Sequence, residues 1–195
     1  MERNSILIGA VLLAVGVGIG YTIPDRGYGA RGGHMMSNGS SMEQNIDQHF
    51  IAQMIPHHEG AIVMAKIALE RSKRPEIISL ANSIIEAQQR EIAEMNSWYR
   101  SWFGSTPSDF GMGGMHMDGM TGDTGNLAQM SDTQFDKEFI EQMIPHHEMA
   151  IMMAQMLAAS TERPEMAQLA ENIIRSQSGE IQLMRNWRTD WYDDK

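Results

Sequence analysis

The sequence MIPHHE occupies residues 54–59 and recurs unchanged at residues 143–148. When residues 47–103 are aligned with residues 136–192 at the same offset, 27 of the 57 positions are identical. Internal similarity at a fixed offset is the signature of a duplicated structural unit. We therefore expect two copies of one unit, repeat one at 47–103 and repeat two at 136–192.

Each repeat has the hydrophobic pattern of two helices. Apolar or thioether side chains, interrupted at a few positions, recur every three or four residues from Phe50 to Ala68 and from Ile77 to Trp102. This is the spacing of helices that bury one face in a bundle. Pro56 lies inside the first helix and is expected to kink it, because proline removes one backbone hydrogen bond. The helices are predicted over about residues 41–72, from 75 to about 102, 132–160 and 164–191.

The connections between the helices indicate the architecture. Short connections near Arg74 and Arg163 make each helix pair an antiparallel hairpin. The stretch between the hairpins, residues 104–130, is long and rich in glycine, so we expect an irregular crossover loop there. The predicted fold is all-α: a ferritin-like four-helix bundle of two tandem antiparallel hairpins, spanning residues 43–192.

The composition excludes several classes of function. The chain of 195 residues has a formal net charge of −10, which argues against a nucleic-acid partner. It contains no cysteine, which excludes disulfides, iron–sulfur clusters and thiolate nucleophiles. Its 19 methionines and 7 histidines can still bind soft metal ions through thioether sulfur and imidazole nitrogen.

The N-terminal segment has the pattern of an exported protein. Arg3 precedes an apolar run over residues 6–23, which is the order of a charged start and a hydrophobic stretch in an export signal. The run is near the minimum length of a membrane-spanning helix, so residues 1–23 are predicted to be either a cleaved signal or a membrane anchor. Residues 24–42 have the composition of a flexible linker. We expect a periplasmic or otherwise extracytoplasmic protein that contacts the membrane only through this segment.

Polar residues interrupt the apolar helix faces at matching positions of both repeats. In repeat one the interruptions are His57, Gln88 and Glu91. A buried carboxylate without a partner is costly, so a partner is expected for each glutamate. The matching residues of repeat two are His146, Gln177 and Glu180.

Hairpin geometry predicts which of these side chains meet. A turn centred near Arg74 places His57 level with Glu91 and Met54 nearly level with Met95. Each repeat is therefore expected to place a methionine pair beside a His–Glu pair, both facing the interior. The corresponding predicted pairs of repeat two are His146 with Glu180 and Met143 with Met184.

These methionine and His–Glu pairs have three interpretations. A buried His–Glu hydrogen bond can serve only to fix the register of the helices. A ferritin-like metal-dependent oxidase would use Glu91 and Glu180 as ligands, but the Glu-x-x-His motif of such sites is missing. In the third interpretation, which we prefer, methionine and histidine bind a metal ion and the carboxylate orients the imidazole. Thioether and imidazole without cysteine favour Cu(I) and, by the same softness, Ag(I), while imidazole also suits Cu(II).

The crossover loop contains a second candidate site, the segment MGGMHMDGM at residues 112–120. Methionine in a glycine-rich loop cannot be core filler, and exposed thioethers are prone to oxidation. A disordered spacer is the alternative, but a spacer does not need thioethers. The loop is therefore predicted to capture Cu(I) through Met112, Met115, His116, Met117 and Met120.

The repeated MIPHHE motif, with its Arg-Pro-Glu and tryptophan positions, resembles a family of exported ferritin-like bundle proteins labelled as a domain of unknown function. One duplicated, methionine-rich form of that family is a periplasmic copper-binding protein. The resemblance covers about residues 43–192 and implies a part in copper resistance, buffering or transfer to a partner protein rather than catalysis. By motif match, the implied metal ligands are Met54, His57, His58, Met143, His146 and His147.

The complete set of predicted copper ligands joins the bundle and the loop. Glu91 and Glu180 are predicted to orient the histidines without binding the metal. The bundle ligands are Met54, His57, His58, Met64, Met95, Met143, His146, His147, Met153 and Met184; the loop ligands are Met112, Met115, His116, Met117 and Met120.

Overall fold

The computed structural model describes residues 39–107 and 124–192, without the side chains of 39–45, 124–126 and 132–133. Within these residues the chain is helical apart from short connections, which confirms the all-α prediction. The helices are α1 (Gly39–Arg71), α2 (Pro75–Phe103), α3 (Thr124–Gln129), α4 (Asp132–Ala158) and α5 (Pro164–Tyr192).

The observed ends of the four long helices agree with the predicted ends to within about two residues. α2 begins at Pro75, where the missing proline N–H costs no helical hydrogen bond. It stops at Gly104, whose φ of 67° is left-handed and whose N–H donates to the Arg100 carbonyl at 3.1 Å. α1 continues through Pro56 as one helix, and the kink expected there stays a prediction.

The buried apolar side chains form two cores, each built from both repeats. The first core joins residues 61–68 of α1 and 77–84 of α2 to residues 135–144 of α4, with Ile181 and Met184 of α5. Because the later part of α1 packs with the early part of α4, these two helices run antiparallel. The second core joins residues 50–55 of α1, Met95 and Tyr99 of α2, 150–157 of α4 and 166–173 of α5.

The connection between the hairpins joins opposite ends of the bundle. α2 ends beside the second core and α4 begins beside the first, a distance of about 40 Å for a helix of this length. The expectation of an entirely irregular loop over 104–130 is wrong at 124–129, which form α3. Leu127 is fully buried in the first core, and the Arg71 guanidinium donates to the carbonyls of Ala128 and Met130, both at 2.5 Å. These contacts hold α3 on the bundle.

An arginine in the turn of each hairpin contacts the other repeat. The guanidinium of Arg74 lies 4.1 Å from the ring centre of Trp191, and its Nε lies 3.2 Å from a carboxylate oxygen of Asp136. Cation–π contact and ion pair therefore tie the two hairpins together at this end. The same contacts recur at the other end. There the guanidinium of Arg163 lies 4.1 Å from the ring centre of Trp102, and its Nε lies 3.1 Å from a carboxylate oxygen of Asp47.

The N-terminal predictions fall mainly outside the described residues. The predicted signal or anchor at 1–23 lies there, as does the predicted linker up to residue 38, whereas residues 39–42 belong to α1. Among the helices that the structure describes, none combines the length and the apolar character needed to cross a bilayer.

Candidate metal centre

A layer of buried polar side chains separates the two cores. On each long helix the polar residues lie between the segment that enters one core and the segment that enters the other. Each is at most 6% exposed, although histidine and glutamine are seldom fully buried. The layer consists of His57, His58, His146, His147, Gln88 and Gln177.

The two repeats meet at the centre of this layer through one histidine from each. The ring centres of His57 and His146 are 3.8 Å apart, with an angle of 40° between the ring planes. The contact stands where α1 and α4 pass each other. The sequence analysis placed these histidines in separate repeats and did not predict that they touch.

The histidines that pair with glutamate are the second ones of each motif. Nε2 of His58 lies 2.6 Å from Oε2 of Glu91, and Nε2 of His147 lies 2.7 Å from Oε2 of Glu180. The predicted pairs of Glu91 with His57 and of Glu180 with His146 are therefore wrong by one residue. Consecutive helical residues differ by about 100° in direction, so the first histidine of each motif faces the other repeat.

The His–Glu pairs leave one ring nitrogen available on each second histidine. A carboxylate can only accept a hydrogen bond, so Nε2–H of His58 donates to Glu91, and in a neutral imidazole the lone pair is then on Nδ1. Nδ1 of His58 and of His147 is buried and has no hydrogen-bond partner among the described residues. An imidazole held by a carboxylate at one nitrogen is the usual arrangement of a metal-binding histidine.

His57 is kept neutral by its surroundings. Burial, together with the nearby imidazoles of His146, His58 and His147, lowers the pKa of His57 to about 2. Both of its ring nitrogens are buried without a well-placed hydrogen-bond partner in the described part of the chain. A buried polar atom left unpaired costs about 1–3 kcal/mol, so this group of imidazole nitrogens indicates a ligand.

Methionine sulfur lies on both sides of the polar layer. Met54, one turn before His58, is fully buried in the second core with Met95. Met143, one turn before His147, is fully buried in the first core with Met184. The structure thus places both predicted methionine pairs in common cores. Each core also receives a methionine of the other repeat, Met153 for the second and Met64 for the first.

The comparisons with known proteins identify the family of the chain. Residues 47–188 match the family described as "Domain of unknown function (DUF305)". The chain belongs to the DUF305 family. Like the observed helices, the match spans both hairpins and the crossover between them.

Several solved structures resemble this DUF305 chain. CopM in its Cu(II)-bound form is 51% identical, with a TM-score of 0.68, and the similarity covers 75% of this chain and 97% of CopM. CopM in its Cu(I)-bound form is 48% identical, with the same coverage and a TM-score of 0.66. A DUF305 protein of Streptomyces coelicolor, predicted to be secreted, is 27% identical at a TM-score of 0.66, covering 74% of this chain and 91% of that protein.

One viral relative matches over a shorter stretch. Uncharacterized protein L153 of Acanthamoeba polyphaga mimivirus is 51% identical over 51 residues. The match covers 26% of this chain and spans 34% of the length of the viral protein.

Other histidine and glutamate side chains of this DUF305 chain lie apart from the polar layer. His49 and the motif residues Glu59 and Glu148 are exposed. No group of three or more His, Asp and Glu side chains suited to a metal ion occurs within 39–107 and 124–192. The predicted loop ligands, Met112, Met115, His116, Met117 and Met120, lie outside the described residues.

Sequence reasoning also missed residues that the structure singles out. Asp47 and Asp136 bind the turn arginines of the opposite repeat. Asp47 and Asp136 occupy the same position in the aligned repeats, and this match was the available signal. It did not reveal that each aspartate contacts the other repeat. The same limit applies to the contact of His57 with His146.

Proposed function

We propose that this protein binds copper outside the cytoplasm, through methionine and histidine side chains, and serves in copper buffering, transfer or resistance rather than catalysis. Cu(I) is the principal ion in this proposal, with Ag(I) bound by the same softness and Cu(II) through imidazole. The similarity to CopM in its Cu(I)- and Cu(II)-bound forms supports copper as the metal.

The observation that carries the proposal is the set of unpaired imidazole nitrogens in a buried layer between two cores. Nδ1 of His58 and of His147 lacks a hydrogen-bond partner among the described residues, and neither ring nitrogen of His57 has a well-placed one there. If the histidines only set the helix register, the Glu partners would satisfy one nitrogen each and the others would remain a cost. Bound copper would satisfy these nitrogens, and the flanking methionines provide the soft ligands that Cu(I) prefers.

The contacts of the buried histidines support the roles proposed for them. His57, His58, His146 and His147 are the proposed imidazole ligands, and Glu91 and Glu180 orient His58 and His147. The proposed thioether ligands are Met54, Met64, Met95, Met143, Met153 and Met184, joined by the loop residues Met112, Met115, His116, Met117 and Met120 as a second set. A structural role for the His58–Glu91 pair alone is the alternative that its short hydrogen bond favours.

The test is an anaerobic titration of the full chain with Cu(I) in competition with a chromophoric chelator. Three variants separate the sites: Met54→Leu with Met143→Leu in the bundle, the four loop methionines to leucine, and both sets together. Leucine keeps the apolar volume and removes the sulfur. Met166→Ile is the matched control, because Met166 is a fully buried methionine of the second core that is not among the proposed ligands, and repeat one has Ile77 at its position.

The expected result is tight Cu(I) binding by the wild type and by the Met166→Ile control. Each of the two separate variants should lose part of the binding capacity, and the combined variant should lose most of it. If the wild type fails to compete with the chelator, copper binding is wrong. A measured turnover of Fe(II) or Cu(I) with oxygen, abolished by Glu91→Ala, would support the oxidase alternative instead.

A further inference from the structure

The outer face of α4 carries methionines that the buried layer does not use. Met152 is 53% exposed and Met156 is 60% exposed, the highest values among the large hydrophobic side chains of the described residues. Met149 is half-buried on the same helix. Methionine usually fills gaps in a core, and packing does not account for thioethers that remain in water.

The spacing of these residues brings their sulfurs within reach of one ion. Positions separated by three, four and seven residues lie on one helix face, here within an arc of about 60°. Side chains three or four residues apart start about 5–6 Å apart at Cβ, and the outer two, seven residues apart, are separated by about 10 Å along the helix axis with Met152 between them. The three rotatable bonds of methionine allow the thioethers to converge on an ion between them. Met149, Met152 and Met156 therefore offer three soft ligands without any movement of the backbone.

Repeat one shows that the fold itself does not require methionine at these positions. α1 continues through the corresponding segment with the same helical structure. The neighbouring position is methionine in both repeats, as the fully buried Met64 and the half-buried Met153. The three outer positions differ, and in repeat one they are occupied by Gly60, Val63 and Ile67. Sulfur at these positions is thus specific to α4.

We propose that Met149, Met152 and Met156 form a second, solvent-accessible site for a soft monovalent cation, Cu(I) or Ag(I), on α4. The site extends the proposed copper binding and rests on it for the identity of the natural ion. Met54 and Met143 of the proposed buried site are fully buried, whereas Met152 and Met156 are more than half exposed. The α4 site is available to an incoming ion in the closed bundle.

Titration with Ag(I) in chloride-free buffer tests this site, because Ag(I) is soft and does not change oxidation state under these conditions. The probe is the full chain labelled with ¹³C at the methionine methyl groups, so that each thioether gives its own NMR signal. The signals of Met149, Met152 and Met156 are assigned by single substitutions. The stoichiometry is measured in parallel by calorimetry.

The variant combines Met149→Leu, Met152→Val and Met156→Ile. Valine and isoleucine already occupy the last two positions in repeat one, so the bundle is expected to fold. Met166→Ile is again the control, since it removes one thioether from the core and none from the α4 face. Circular dichroism of every variant verifies the helical content before the titration.

The expected result is that the three outer methyl signals shift with Ag(I) in the wild type, and that the variant binds one equivalent less while the signals of Met54 and Met143 still shift. Unchanged stoichiometry, with the outer signals unmoved and the buried ones shifted, would overturn the α4 site and leave the proposed function intact. No shift at any methionine would overturn both. Concentration-dependent shifts without metal, with a dimer in sedimentation, would assign this face to a second copy of the chain and overturn the site.

Discussion

Two adjacent histidines in each motif have different neighbours, and this difference separates the roles that we propose for them. His58 and His147 contact a carboxylate within their own hairpin. His57 and His146 instead contact each other across the repeats. A shift of one residue along the helix therefore changes the neighbour of the imidazole. The second histidine of each motif contacts a carboxylate, and the first contacts a histidine ring of the other hairpin.

At this scale we predict that Glu91→Ala or Glu180→Ala weakens Cu(I) binding by about 10–100-fold, the usual effect of removing a carboxylate that orients a metal-binding histidine. Glu91→Gln should restore most of the affinity, because the amide oxygen can accept the same hydrogen bond from His58. Chelator competition measures the affinities, and Glu94→Ala, an exposed carboxylate one turn away, is the control. Equal affinities in wild type and Glu91→Ala would leave the pair a purely structural role.

The residue-scale errors of the sequence analysis have one physical origin. Counting from a hairpin turn fixes the level of a residue along the bundle, and the predicted level of Glu91 was correct to within one position. It does not fix the direction of the side chain, because one position changes that direction by about 100°. The sequence therefore indicated a histidine beside Glu91 but not which of the two.

At the scale of helices, the turn arginines hold the hairpins against each other. We call the contacts of Arg74 the Arg74 clamp and those of Arg163 the Arg163 clamp. Their distances are similar, but the carboxylate of Asp47 is 3% exposed, whereas that of Asp136 is 16% exposed. Burial raises the pKa of Asp47, and the Thr161 hydroxyl and the Arg163 guanidinium oppose that rise. The Arg163 clamp should therefore contribute more to stability than the Arg74 clamp, because its loss strands a more deeply buried acid.

We predict that Arg163→Ala lowers the free energy of unfolding by about 2–3 kcal/mol and Arg74→Ala by about 1–2 kcal/mol. Each variant also loses a cation–π contact. Arg90→Ala is the control, since its pair with Glu86 is a half-exposed contact within one helix and should cost less than about 0.5 kcal/mol. Urea unfolding measures all three. The reverse order for the two clamps would contradict the argument from burial.

At the scale of the whole molecule, neither repeat has a core of its own. The first core combines the later half of α1 with the early half of α4, and the second core combines the remaining halves. The polar layer is also shared, because the ring of His57 in repeat one contacts the ring of His146 in repeat two. Duplication has therefore produced one interdigitated bundle.

We predict that a fragment of residues 39–107 alone is largely unfolded at low concentration, because a lone hairpin would expose the α1 and α2 faces that α4 and α5 cover. Its helicity should rise with concentration as copies associate, or on addition of a fragment of residues 124–192. Circular dichroism against concentration checks this. The full chain, whose helicity should not depend on concentration, is the control. Full helicity of the fragment at micromolar concentration, with a monomeric mass in sedimentation, would contradict a shared core.

The sequence alone determined the properties that are encoded locally along the chain. The repeat, the four long helices, the position of α2 at Pro75 and the pairing of methionines by level all follow from periodicity and from the intrinsic preferences of proline and glycine. The proposal of soft ligands rests on composition, because the chain has 19 methionines and no cysteine.

Only the tertiary structure decided how the two repeats combine. The merger of two predicted sites into one polar layer, the contact of His57 with His146 and the arginine clamps all depend on the position of α1 against α4. That position results from packing between segments about 90 residues apart, and helical periodicity carries no information about it. The exposure of Met152 and Met156 was hidden for the same reason, since only the packed bundle shows which face of α4 remains in water.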